Sequence, residues 1–139
     1  MKFSASIEIN APLERVWALV NEVEDWPKWI PSLKKIEKLS EGPLGKGSRI
    51  LVVAKSIIKV NLFMAIIEFI PLQRVVMEGK VLGVRMTRYY TLEPVNQNKT
   101  KLMAGGEVTG LLAFLVRRSG QKLSEEIVQS LKKKVEGLM

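Results

Sequence analysis

The chain has 139 residues, 47% of them hydrophobic, which suits one domain (1–139) with a core of its own and excludes a disordered polymer. It contains neither cysteine nor histidine, so disulfides, thiol chemistry, Ser-His-Asp or Cys-His nucleophile systems and zinc sites built on those ligands are excluded. The formal net charge of +8 leaves an anionic partner open as a class.

Lys2 to Asn10 alternates, with Phe3, Ala5, Ile7 and Ile9 on one face and Ser4, Ser6 and Glu8 on the other. This is the pattern of a half-buried strand. Asn10 is a candidate N-cap for the helix that follows, and Pro12 suits its first turn. Val16, Trp17, Leu19 and Val20 form the apolar stripe of that short helix. Trp26-Pro27 then opens a second short turn carrying Trp29. All three tryptophans fall within Trp17 to Trp29. They read either as core packing or, for Trp26 and Trp29, as the wall or rim of an apolar pocket. The prolines at 27 and 31 favour placing Trp26 or Trp29 near the mouth and Trp17 in the core.

Strands are predicted at Leu33–Leu39, Ser48–Ala54, Ile57–Ile70, Arg74–Lys80, Val84–Glu93 and Lys101–Thr109. Gly42-Pro43-x-Gly45-x-Gly47 lies in a loop and lacks the spacing and following helix of a phosphate-binding loop. Pro94 to Thr100 reads as a polar loop. Gly105-Gly106 suggests a bend or bulge. Strand Ile57–Ile70 is apolar on both faces, so either a bulge switches its phase or a second subunit covers its outer side. Leu112, Val116, Leu123, Ile127, Leu131 and Val135 recur at helical spacing, with regular helix expected from about Ser119 to Glu136.

The order is strand, two short helices, six strands and a long helix. An α+β fold follows, in which a curved antiparallel sheet wraps the last helix and leaves a cavity between them. The patterns Ile7-x-Ile9-x-Ala11-Pro12-x-Glu14-x-Val16-Trp17, Asp25-Trp26-Pro27-x-Trp29-x-Pro31 and Gly42-Pro43-x-x-x-Gly47-Ser48 carry a family resemblance. Tyr90-Thr91-Leu92-Glu93-Pro94, Gly110 and the final helix fall in matching order. The chain resembles the polyketide cyclase/dehydrase branch of the START-like, helix-grip superfamily (SRPBCC), and is similar to coenzyme Q-binding START proteins and the birch pollen allergen. The resemblance implies a helix-grip fold with a seven-stranded antiparallel sheet. Functionally it implies a lipid carrier, a cyclase, a hydrolase-activator domain or a protein of no known role.

On the strand Val84–Leu92, Val84, Met86, Arg88, Tyr90 and Leu92 form the inward set. Arg88 therefore needs a partner. It could snorkel from a strand end, pair with Glu78 or Glu107, or hold an anionic or carbonyl group of a ligand with Tyr90 as a second polar point. Leu102, Ala104, Gly106 and Val108 form the inward set of the last strand. Trp26, Trp29, Phe63, Ile67, Met77, Met86, Leu102, Leu123 and Ile127 are the candidate apolar lining. Glu24 with Asp25, and Glu125 with Glu126, are sequence neighbours that point apart on a helix and read as solvated charges.

The basic strip Lys28, Lys34, Lys35, Lys38, Lys46, Arg49, Lys55 and Lys59 has no aromatic residue between Pro31 and Leu62. It reads as a solvated face, and sequence-specific nucleic-acid binding is not expected. No leader pattern or spanning apolar run occurs, so a soluble cytoplasmic protein is expected. No metal or cofactor is expected. The functional expectation is binding or transport of a hydrophobic small molecule or lipid without chemistry. A polyketide cyclase or aromatase, and an interaction module filled by its own side chains, are the alternatives. A homodimer through strand Ile57–Ile70 is the expected self-contact.

Overall fold

The computed structural model describes residues 1–55, 61–81 and 83–137. Strands β1 (Lys2–Ile9), β2 (Leu33–Lys38), β3 (Arg49–Ala54), β4 (Asn61–Ile70), β5 (Arg74–Val81), β6 (Val84–Asn96) and β7 (Lys99–Thr109) pair antiparallel in the order β1-β7-β6-β5-β4-β3-β2. Helix α1 (Leu13–Val20) and a 3-10 helix (Val23–Lys28) connect β1 to β2. Helix α2 (Ala113–Val135) follows β7. The sheet curls around α2 as a half-barrel, the helix-grip arrangement expected.

Several boundaries differ from the sequence expectation. Residues 57–60 of the predicted strand lie outside the described residues. The expected loop from Pro94 to Thr100 is instead the end of a hairpin, turning at Gln97 and Asn98. A register shift between Pro94 and Asn96 accommodates the proline. The Asn98 amide donates to Asn96 Oδ1 at 2.8 Å, which closes the turn locally. Helix α1 starts after Pro12, whose carbonyl accepts from the Val16 amide, and Asn10 is not its cap.

Helix α2 begins at Ala113, six residues before the expected Ser119. Gly120, expected to weaken its first turns, is buried against the Phe3 ring. A Cβ there would sit 2.8 Å from Phe3 Cζ. The glycine is therefore a contact point between helix and sheet, and packing outweighs its poor helix propensity. The buried stripe of α2 is Ala113, Gly120, Ser124, Ile127, Val128, Ser130, Leu131 and Val135. Leu112, placed on that stripe by its spacing, is exposed, and Leu123 is half-buried.

Helix α2 also holds the sheet by its edges. Gln121 acts as a substitute strand neighbour for β1: its Oε1 accepts from the Ser4 amide (3.0 Å) and its Nε2 donates to the Ser4 carbonyl (2.8 Å). Arg117 and Lys132 donate to the Lys2 and Glu8 carbonyls, and Glu136 accepts from the Asn10 amide. The free side of an edge strand is thereby occupied, which protects it from pairing with another chain. Near the opposite edge, Glu126 accepts from both the amide and the hydroxyl of Ser32, just before β2. Glu126 is thus a structural clamp, and Asp25, Lys28, Lys35 and Glu37 form exposed ion pairs.

Strand β4 contains the bulge that its two-sided apolarity suggested, between Ile66 and Glu68. Met64 and Ile66 face the core before it, and Phe69 packs against the core after it. Phe69 meets the half-buried Trp17 edge-on, with ring centroids 5.5 Å apart. Phe63, Ile67 and Ile70 are left exposed. Their outward placement overturns the expectation that Phe63 and Ile67 line the interior.

Candidate functional site

Strand β6 lies between β5 and β7, so its inward residues occupy the middle of the grip. Val84, Met86, Tyr90 and Leu92 are buried, and Arg88, half-buried, lies on the same face, as alternation requires. Its cross-strand neighbours are Gly106 on β7 and Met77 on β5. Phe3 lies opposite Gly106, and Ile66 opposite Met77. This row divides the core. Trp26, Trp29, Met77, Tyr90, Leu102, Ile127 and Leu131 belong to one cluster, while Phe3, Val84, Met86, Val108 and Ala113 form another.

Gly106 is what lets the row close. A Cβ there would stand 2.2 Å from the Thr87 carbonyl oxygen and 2.9 Å from Phe3 Cζ. No register shift occurs at Gly105-Gly106, so this pair marks a close approach and not the expected bulge. The Phe3 ring fills the space that Gly106 and Gly120 leave open. The Arg88 guanidinium lies over that ring, 5.3 Å from its centroid. It also donates to Ser124 Oγ at 3.0 Å, and the Ser124 hydroxyl donates onward to the Gly120 carbonyl at 2.8 Å.

Neither Glu78 nor Glu107 answers Arg88. Both stand opposite Thr87, on the other face of the sheet, and Glu107 lies 3.9 Å from Lys2. No carboxylate bonds to Arg88 among the described residues. Burial lowers the guanidinium pKa to about 10, so it remains charged at neutral pH. Tyr90, two residues along the same face, has its phenol pKa raised by burial and keeps its proton. Its hydroxyl has no hydrogen-bond partner among the described residues, nor has Trp26 Nε1. The Trp26 and Tyr90 rings meet with centroids 5.6 Å apart. Two buried donors lacking partners are unusual in a folded interior. Each such group costs about 1–3 kcal/mol while unpaired.

The structure therefore brings together Tyr90, Trp26, Trp29, Met77, Leu102 and Ile127, with Leu123 packed at half-burial, and sets Arg88 on the row beside them, against Phe3 and Ser124. Met86 lies in the second cluster, beyond the Arg88 row. Trp26 and Trp29 are 6% and 7% exposed, whereas Trp17 is the more exposed of the three. This reverses the expectation of Trp26 or Trp29 at the rim and a buried Trp17. The 3-10 helix folds back against the core, carrying Val23 and Trp26 inward, and the Trp29 and Ile30 amides both bond the Trp26 carbonyl. Ser124, Gly120 and Phe3, the groups around Arg88, were not among the sequence candidates. A separate open groove of about 480 Å³ runs along β1, lined by polar groups that include Ser4, Thr87, Tyr89, Glu107 and Gln121.

A family model described as "Polyketide cyclase / dehydrase and lipid transport" matches residues 1–136. No curated protein matches the sequence. Among solved structures, a START superfamily protein from Mycobacterium smegmatis superposes with a TM-score of 0.82 at 17% identity, covering 99% of each chain. The Zhui aromatase/cyclase from Streptomyces sp. R1128 gives 0.82 at 13% identity, covering 98% of this chain and 93% of that one. A norcoclaurine synthase from Thalictrum flavum gives 0.76 at 13% identity, covering 99% and 95%. At these identities the likeness is one of fold.

Proposed function

Because the chain belongs to the polyketide cyclase/dehydrase and lipid transport family, we propose that it binds an apolar small molecule or lipid between sheet and α2, with the ligand's polar end at Arg88, Tyr90 and Trp26. The observation that carries this reading is the pair of buried donors, Tyr90 Oη and Trp26 Nε1, that have no partner among the described residues, with the half-buried Arg88 two residues from Tyr90 on the same face of β6 and bonded to no carboxylate there. A carboxylate or carbonyl oxygen would satisfy what the protein alone leaves unsatisfied. Met77, Leu102, Leu123 and Ile127 supply apolar surface. Trp26 must move off Tyr90 to admit a ligand, since their rings are in contact.

Binding without chemistry is favoured over cyclisation by the donor set. Arg88 and the protonated Tyr90 can donate hydrogen bonds to an oxygen, but neither is a base near neutral pH. The sequence has no histidine to take that role. Native mass spectrometry of protein purified from its own source should show a co-purified apolar molecule. Fatty acids, isoprenoid quinones and flat aromatic dyes should then perturb tryptophan fluorescence, with the response lost in Trp26→Phe. Absence of both signals defeats the reading. Turnover of a polyketide mimic that disappears in Tyr90→Phe would replace it by the cyclase alternative.

The proposed self-contact uses Phe63, Ile67 and Ile70, the apolar residues that the β4 bulge leaves outside. Its probe is Phe63→Lys, because Ile66 is core and a lysine there would unfold the chain. Sedimentation should show a dimer that Phe63→Lys dissociates, and a wild-type monomer across the micromolar range removes the contact.

A further inference from the structure

Four large apolar residues are crowded where α2 begins. Leu111 is 94% exposed, Leu112 45%, Phe114 58% and Leu115 59%. Only Ala113, among these five consecutive residues, turns into the core. Such a cluster on one tip of a protein is an interaction surface by default.

The surrounding charge says what would cover it. From Val108 to Lys122 the chain carries Arg117, Arg118 and Lys122 and no carboxylate. All three cations are exposed. The adjoining β5–β6 hairpin adds exposed Lys80 and Arg85, which pair across that hairpin. It lies against this tip: a Cβ on Gly110 would come within 2.5 Å of the Gly83 carbonyl oxygen. The acidic groups on the strands leading to this end, Glu78 and Glu107, are half-buried and lie farther down the outer face of the sheet.

Helix geometry orders these groups by depth. Arg118 follows Phe114 by four residues and Leu115 by three, so it lies one turn behind both, about 5–6 Å along the axis. Lys122 lies one turn behind Arg118. An apolar tip with a cationic collar one and two turns back matches the boundary between acyl chains and anionic headgroups. A second copy of this chain fits less well, because a symmetric contact through the tip would bring two sets of these cations together.

We propose that the start of α2, from Leu111 to Leu115 with Arg118 and Lys122 behind it, docks on an anionic lipid surface. The docking is peripheral; among the described residues no helix is long and apolar enough to cross a membrane. It does not rest on the interior reading, since none of these side chains belongs to the Arg88 site.

The test is flotation of the full chain with vesicles of phosphatidylcholine alone, or with about a third phosphatidylglycerol, at about 0.1 M salt. The wild type should float with the anionic vesicles and not with the neutral ones. R118E/K122E should abolish flotation, and F114S/L115S should weaken it by about tenfold or more. All four positions are exposed, so both variants should melt like the wild type. Equal binding to neutral vesicles, or unchanged flotation of both variants, overturns the proposal. So does a wild-type dimer that F114S/L115S dissociates, seen without any vesicle binding, which would assign the tip to a second copy.

Discussion

Arg88→Met should stabilise the unliganded protein while removing its affinity for a carboxylated ligand. The two effects have opposite signs because the half-buried guanidinium is desolvated without a carboxylate partner among the described residues. At neutral pH Arg88 is charged both folded and unfolded. Its folded pKa is depressed by desolvation, so the folded chain releases that proton more readily than the unfolded chain. The pH dependence from this group is therefore confined to the region above about pH 10, where stability would rise with pH. Below it, the desolvation penalty of the half-buried guanidinium is present and constant. Methionine of similar length removes that penalty and keeps the row between Gly106 and Met77 filled. What it loses is one hydrogen bond and the contact with the Phe3 ring. Ser124 is not orphaned, because its hydroxyl still donates to the Gly120 carbonyl. Replacing buried charge by a well-packed apolar group is often neutral or stabilising by about 1–4 kcal/mol. Thermal melting at neutral pH should show a rise. Titration should show about tenfold or greater loss for a fatty acid, since a hydrogen bond to a charged group contributes roughly 1.5–3 kcal/mol, and little change for a neutral analogue. A fall in melting temperature would mean that Arg88 is a structural cross-link to Ser124. Equal loss for acid and neutral ligands would mean that it shapes the pocket without reading charge.

The reach of sequence patterning varied from strand to strand for a physical reason. On β6 and β7 one alternating set is apolar or small and the other polar, so phase followed directly and placed Arg88, Tyr90, Leu102 and Gly106 inward. The same alternation already puts Glu107 outward, which argues against pairing it with Arg88. On β4 both sets are apolar, so alternation carries no phase information. Phe63 and Ile67, expected in the interior on that strand, lie outside. The tryptophans failed differently. Pro27 and Pro31 mark irregular backbone, but irregular backbone can fold inward, and the 3-10 helix does so. Ser124, Gly120 and Phe3 meet Arg88 only because α2 is set at one height against β6. That height follows from contacts spread over the whole helix, including Gln121 on β1 and Glu126 at Ser32, and no local pattern encodes it.

Gly106→Ala should be the most damaging single-methyl addition in the sheet. The new Cβ would fall 2.2 Å from the Thr87 carbonyl oxygen, a main-chain atom of the paired strand that cannot swing away as a side chain could. It would also press on the Phe3 ring, which Gly120 of α2 confines from the other side. Relief requires either β6 and β7 to separate at the Arg88–Gly106 pair or Phe3 to leave its cradle. Leaving would uncover the guanidinium face and loosen α2 together. Overpacking of this kind costs about 1–3 kcal/mol, and more where backbone must shift. For a chain of this size that corresponds to a fall of roughly 3–5 °C in melting temperature per kcal/mol. Gly45→Ala is the control: a Cβ there meets nothing within 4 Å, and its backbone is not left-handed. It should melt within a few degrees of wild type, higher if it shifts at all, since alanine has less unfolded-state entropy to lose. Phe3→Leu in the Gly106→Ala background separates the two causes. If it restores much of the lost stability, the ring was the main obstacle. If it restores none, the Thr87 carbonyl was, and the close approach of β6 to β7 is what the glycine serves.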